Sequence, residues 1–165
     1  MRKSTNKKRL VFVVDDQPLY AQILSEDLSE KGVLTHSFTN AEDCIDALHR
    51  KPDVILMDFE LDPAGEQMNG VAALCKIKQE MPEVPVMMLS GHDDLKIVTT
   101  SMRYGAYDYI VKNDSTLLNL SNKLSHVFSR QDTLAELKAV KDLKRGVFAV
   151  AAFALLFAFF ADKMF

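Results

Sequence analysis

Short apolar runs recur along the chain, and most of them stop at a polar residue. Leu10-Val11-Phe12-Val13-Val14 runs into Asp15-Asp16, and Val54-Ile55-Leu56-Met57 runs into Asp58. Val86-Met87-Met88-Leu89 ends in Ser90-Gly91, and Tyr107-Asp108-Tyr109-Ile110-Val111 ends in Lys112. Continuous apolar runs of this length predict strands buried on both faces, as in parallel sheets. Val33–Phe38 predicts a further strand with poorer alternation. Between the strands the apolar period changes to that of a helix. Leu19, Ile23, Leu24 and Leu28 follow Pro18, which suits a first helical turn, and Lys31-Gly32 ends that helix. Asn40 is a predicted N-cap for 41–49, with Cys44, Ile45 and Leu48 facing inward. Three more helices are marked by Val71, Leu74, Cys75 and Ile77, by Leu95, Val98 and Met102, and by Leu117, Leu118, Leu120, Leu124 and Val127. Five strands alternating with five helices predict an α/β doubly wound five-stranded parallel sheet with right-handed connections.

The residues at the strand ends then carry the chemistry. Ligands bind such sheets at the carboxyl edge, and Asp15, Asp16, Asp58, Ser90 and Lys112 all fall there. Any one of them alone reads as an ordinary turn residue; five in the same slot of successive units do not. Dry carboxylates are costly. Two of them about 4 Å apart repel by roughly 4 kcal/mol at an effective dielectric of about 20. A hard divalent cation with oxygen ligands removes that cost. Asp58 is the candidate nucleophile, because carboxylates form acyl phosphates. Asp15 and Asp16, with Asp58 beside them, are the candidate Mg²⁺ ligands, and Ser90 and Lys112 would meet the phosphoryl oxygens.

Composition excludes little beyond this. The 165 residues carry a formal net charge of −3, which gives no reason to expect nucleic acid as the main partner. Cys44 and Cys75 lack metal-type spacing and read as reduced thiols in helices. Residues 1–9 are basic and polar with no signal-type apolar run after them, which predicts a flexible tail able to touch acidic lipid.

Residues 10–129, about three quarters of the chain, resemble the receiver domain of two-component response regulators. The matching motifs are Val-Val-Asp15-Asp16, Leu-Met-Asp58, Leu-Ser90-Gly91 and Tyr109-Ile-Val-Lys112. The resemblance implies a flavodoxin-like fold and Mg²⁺-dependent phosphorylation of Asp58 by a histidine kinase or a phosphotransfer protein. It implies that Ser90 and Tyr109 reorient on phosphorylation and remodel the surface of helix four, strand five and helix five, where an effector protein would dock. Glu60 and His92 occupy positions that in the family tune the lifetime of the phosphoryl group. Two departures stand out. Asn113 follows Lys112 where the family usually has proline; a cis bond there would cost about 2.5–4 kcal/mol, so a trans bond or strain is expected. The loop from Asp58 to Gly70 is longer than usual and adds Asp62 and Glu66 to Glu60.

Beyond the receiver, residues 130–145 read as a charged helical linker, with Leu134, Leu137, Val140 and Leu143 too drifting in spacing for a firm coiled coil. Gly146 to Ala161 has no polar side chain, which predicts burial in lipid or against a partner. Residues 146–165 are therefore expected to be a single-pass C-terminal anchor. Lys138, Lys141, Lys144 and Arg145 place the receiver at the cytoplasmic face of the cell membrane. Ala154 and Ala158 have the small-xxx-small spacing that allows close helix pairing and a homodimer. No helix-turn-helix is read after the receiver, so nucleic acid is not an expected partner. The expected function is a phosphorylation switch and not an enzyme with external turnover. The alternatives are a phosphoryl sink or relay and, from another class, a phosphatase resembling the haloacid dehalogenase type, with Asp58 as nucleophile and Glu60 as second acid.

Overall fold

The computed structural model describes residues 8–61 and 68–164, with residues 153–164 as backbone only. The chain order is β1 (Leu10–Val14), α1 (Pro18–Glu30), β2 (Leu34–Phe38), α2 (Ala41–Asp46), a 3₁₀ turn (Ala47–Arg50), β3 (Val54–Asp58), α3 (Gly70–Glu80), β4 (Val86–Ser90), α4 (Leu95–Arg103), β5 (Asp108–Val111) and α5 (Thr116–Met164). The strands form one sheet in the order β2-β1-β3-β4-β5, and every pair is parallel. This is the flavodoxin-like doubly wound arrangement, whose order reverses between β1 and β3. The three inner strands are the three continuous apolar runs, and all of β3 and β4 is buried. The edge strands β2 and β5 are only partly covered, which accounts for the weak pattern of Val33–Phe38.

Alternation along the strands divides the apolar residues between two faces. Phe12, Val14, Ile55, Met57 and Met88 pack with Cys44, Ile45 and Leu48 before β3 and with Leu74 and Ile77 of α3. Phe12 meets Phe38 edge-on, with ring centroids 4.9 Å apart. Asn40 and Asn69 cap α2 and α3 by accepting from the Asp43 and Ala72 amides at 2.8 and 2.9 Å. Cys44 is buried and Cys75 half-buried, and both are free thiols.

Several helix faces differ from those predicted. The inner stripe of α1 is Ala21, Leu24 and Leu28, while Leu19 is 71% exposed and Ile23 is also exposed. At 3.6 residues per turn, Leu24 and Leu28 set that stripe, and Leu19 and Ile23 fall to its side. In α4 the buried residue is Ser101, and Leu95 and Met102 are exposed. Leu118 of α5 is likewise exposed, while Leu120, Leu124 and Val127 are buried. The helix predicted over 41–49 tightens after Asp46 into the 3₁₀ turn.

The chain divides into two compact units, Met1–Leu124 and Ser125–Phe165. The predicted linker 130–145 is not a separate element, because α5 runs through it for 49 residues in all. The single-pass anchor expected over 146–165 falls largely on side chains outside the described residues, and nothing within the described residues supports it. Among the described residues no helix is long and apolar enough to cross a membrane. The side chains of 153–165, including the Ala154 and Ala158 pair, lie outside the described residues, as do 1–7 of the basic tail and Asp62 and Glu66 of the long loop.

Gly70, the first residue of α3, brings that helix against the end of β3. A Cβ there would lie 2.1 Å from the Asp58 carbonyl oxygen and 3.0 Å from Phe59 Cα. Gly70→Ala should therefore cost about 1–3 kcal/mol and lower the thermal midpoint by several degrees. Gly91→Ala, whose Cβ would meet nothing within 4 Å, should leave the midpoint unchanged. Equal midpoints for both variants, measured by circular dichroism, would contradict the contact.

Candidate functional site

The ends of β1 and β3 are neighbours in the sheet, so Asp15 and Asp58 emerge side by side. Asp15 is fully buried and Asp58 is 2% exposed. Each is held by the backbone that follows it. Asp15 Oδ1 accepts from the Gln17 amide at 2.9 Å, which turns the chain into α1. Asp58 Oδ1 accepts from the Glu60 amide at 3.2 Å. The Lys112 amide prolongs the β4–β5 ladder by donating to Ser90 O at 2.7 Å. From there its ammonium reaches the carboxylates and donates to Asp15 Oδ2 and to Asp58 Oδ2, each at 2.7 Å. Asp16 is half-buried beside them, and carboxylate oxygens of Asp15, Asp16 and Asp58 all lie within 4.8 Å of one another.

The electrostatics follow from this geometry. Burial raises the Asp15 carboxyl above its ordinary value; the hydrogen bonds from Lys112 and the Gln17 amide pull it back without cancelling the effect, and the Asp58 charge adds to it. Burial alone would weaken the Lys112 ammonium, but its bonds to Asp15 and Asp58 reverse that and raise its pKa. One cation thus serves three clustered carboxylates. Hard oxygen donors at this spacing, still in excess of negative charge, fit a Mg²⁺ ion.

The remaining predicted residues form a second group around one loop residue. The Ser90 hydroxyl accepts from the His92 amide at 3.1 Å. The Tyr109 hydroxyl donates to the His92 carbonyl oxygen. The His92 imidazole lies 3.2 Å from the Glu60 carboxylate, both side chains being well exposed. The Lys112–Asn113 bond is trans, since no cis peptide occurs among the described residues. The Asn113 amide, which proline would lack, donates to Thr116 Oγ1 at 2.7 Å. Two residues at this site carry no sequence signal: Thr116, buried where α5 begins, and Tyr20, whose ring centroid is 4.6 Å from Lys112 Nζ. A threonine at a helix start and an aromatic residue two positions after Pro18 are too common to single out.

Comparison with known proteins agrees with the geometry. A family model described as the response regulator receiver domain matches residues 11–121. The chain is 32% identical over 124 residues to the DNA-binding transcriptional regulator NtrC of Proteus hauseri, covering 73% of this chain and 25% of that protein. It is 29% identical over 155 residues to NtrC of Escherichia coli K12, covering 84% of this chain and 32% of that protein. The crystal structure of the receiver domain of NtrX from Brucella abortus superimposes with a TM-score of 0.61 at 30% identity, covering 68% of this chain and 95% of the other. The chain therefore spans about a quarter to a third of the length of these curated relatives.

The raised pKa of Asp15 sets a sign for stability. The folded state holds that proton more tightly than the unfolded chain, so the stabilisation is fully present below 3.8, the ordinary value, and is lost as pH rises through the folded-state pKa. At neutral pH the Asp15 carboxylate thus costs stability in metal-free protein. Asp15→Asn should melt above wild type at pH 7, and the gain should shrink as pH falls toward 3.8. Mg²⁺ should raise the wild-type midpoint and leave that of Asp15→Asn nearly unmoved. An Asn variant that melts lower in metal-free buffer would contradict the electrostatic account.

Proposed function

The chain belongs to the response regulator receiver domain family, and we propose that Asp58 is its phosphoacceptor, charged by a histidine kinase or phosphotransfer protein. The observation that carries this is the Lys112 ammonium at 2.7 Å from both Asp15 and Asp58, at the point where the strand order reverses. A site built this way already binds one cation to two anions, and it can rearrange when a third anion arrives.

In the proposed reaction an Asp58 carboxylate oxygen forms a bond to phosphorus. The bond from phosphorus to the donor imidazole nitrogen breaks, and its electron pair stays on the imidazole. Mg²⁺ held by Asp15, Asp16 and Asp58 would neutralise charge on the phosphoryl oxygens. Lys112 exchanges its contact with Asp58 for one with a phosphoryl oxygen. The Ser90 hydroxyl turns to another phosphoryl oxygen and gives up the His92 amide. Because Tyr109 holds the carbonyl of that same residue, release at His92 reaches β5 and the surfaces of α4 and α5 beside it. Exposed Leu95, Met102 and Leu118 then provide apolar area for an effector protein. Phosphorylation acts here as a local charge change that biases a two-state surface. The Asp58 phosphoryl is stoichiometric, so the protein acts as a switch or relay. A phosphatase of the aspartate-nucleophile type would need Glu60 as a mobile second acid, and Glu60 faces His92 at 3.2 Å. From the NtrC relatives we carry over a regulatory role and not DNA binding.

Incubation with a small phosphodonor and Mg²⁺ should add one phosphoryl group to the wild type, read by intact mass, and none to Asp58→Asn. Asp16→Ala should lose labelling through loss of the metal. Ser90→Ala should still label, with smaller amide shift changes across Leu95–Val127. Equal labelling of wild type and Asp58→Asn would remove Asp58 as acceptor, and full shift changes in Ser90→Ala would remove Ser90 as the coupling group.

A further inference from the structure

Lys112 is seated by more than its carboxylates. Its Nζ lies 4.6 Å from the centroid of the Tyr20 ring, inside the range at which an aromatic face attracts an ammonium. The turn that seats Asp15 also seats this ring: the Gln17 amide donates to Asp15, and the Gln17 carbonyl accepts from the Tyr20 amide at 3.0 Å. The Tyr20 hydroxyl is buried, with the Thr116 hydroxyl as its polar neighbour. The Thr116 hydroxyl beside it lies 2.7 Å from Asn113 O and 3.1 Å from Val111 O and accepts from the Asn113 amide. Burial raises the phenol's pKa, which keeps the ring neutral and its face attractive to a cation.

We propose that Tyr20 is a positioning residue for Lys112, its ring face giving the ammonium a seat that depends on neither carboxylate. This rests on the assignment of Asp58 as phosphoacceptor. During the transfer both anionic partners of Lys112 weaken: the Asp58 carboxylate loses its charge on becoming an acyl phosphate, and Asp15 would be shared with Mg²⁺. A lysine side chain has a long flexible stem and loses much rotamer freedom when fixed. The ring limits where the ammonium goes while its ion pairs exchange, and keeps it beside the incoming phosphoryl oxygens.

The test compares Tyr20→Leu, Tyr20→Met and Tyr20→Phe in the full chain, with folding checked by amide dispersion. Two readouts are used: the labelling rate with a small phosphodonor, and the Lys112 ε-methylene shifts in unphosphorylated protein. The aliphatic variants should label about fivefold more slowly or worse, and the Lys112 methylene protons should lose an upfield ring-current shift. Tyr20→Phe should keep both the shift and a rate within about twofold of wild type, since it retains the ring. Two non-aromatic variants guard against one that fails to fold. A folded aliphatic variant within about twofold of wild type, unchanged Lys112 shifts, or a Phe variant as slow as Leu would each overturn the role of the ring. An unlabelled wild type would instead bring down the phosphoacceptor assignment, and the role of Tyr20 with it.

Discussion

Two buried carboxylates at the ends of adjacent strands cannot both stay charged without a cation, and Lys112 supplies it. Asp15 and Asp58 become neighbours because β1 and β3 pair in parallel and in register. Lys112 reaches them from β5, beyond β4, because its backbone extends the β4–β5 ladder at Ser90. The bridge therefore spans the inner sheet, and the order of the strands is what allows it. Removing the shared ammonium would leave two buried carboxylates uncompensated, which costs far more than the cluster contributes when intact. That asymmetry binds the three strand ends to one electrostatic fate. Any new anion at Asp58 must be met by moving Lys112 or by adding positive charge.

The same economy of contacts organises the proposed switch. Ser90 and Tyr109 come from different strands yet hold the amide and the carbonyl of one residue, His92. The His92 side chain faces Glu60, two residues beyond Asp58. One loop residue thus reports to the acceptor strand, to β4 and to β5. On the other side of Asp58, Gly70 lets α3 approach the β3 backbone so closely that no side chain fits between them. Asp58, the proposed acceptor, is thus closely packed from that side.

Much of this was legible in the sequence because the physics was local. Apolar runs ending in Asp15-Asp16, Asp58, Ser90 and Lys112 record burial on both faces of a strand and exposure at its end. The edge strands were harder to read, since partial burial leaves no clean period. The helix faces at Leu19, Ile23, Leu95 and Leu118 are exposed yet read as core, because an apolar residue beside the inner stripe of a helix looks like a core residue in a pattern. The apolar tail is legible as a composition, but most of its side chains lie outside the described residues. Asn113 marked a departure from the family pattern but not its consequence, a donor amide spent on Thr116. Tyr20 was invisible, because its role arises from a contact between residues 92 positions apart.

The central claim is that the carboxylate of Asp58, and no other in the cluster, carries the phosphoryl group. Borohydride reduction of the phosphorylated protein converts an aspartyl phosphate to homoserine, and peptide sequencing by mass spectrometry then locates it. Homoserine at position 58 alone is the predicted result. Homoserine at position 15, 16 or 60, or none in protein that carries a phosphoryl group, would contradict the account.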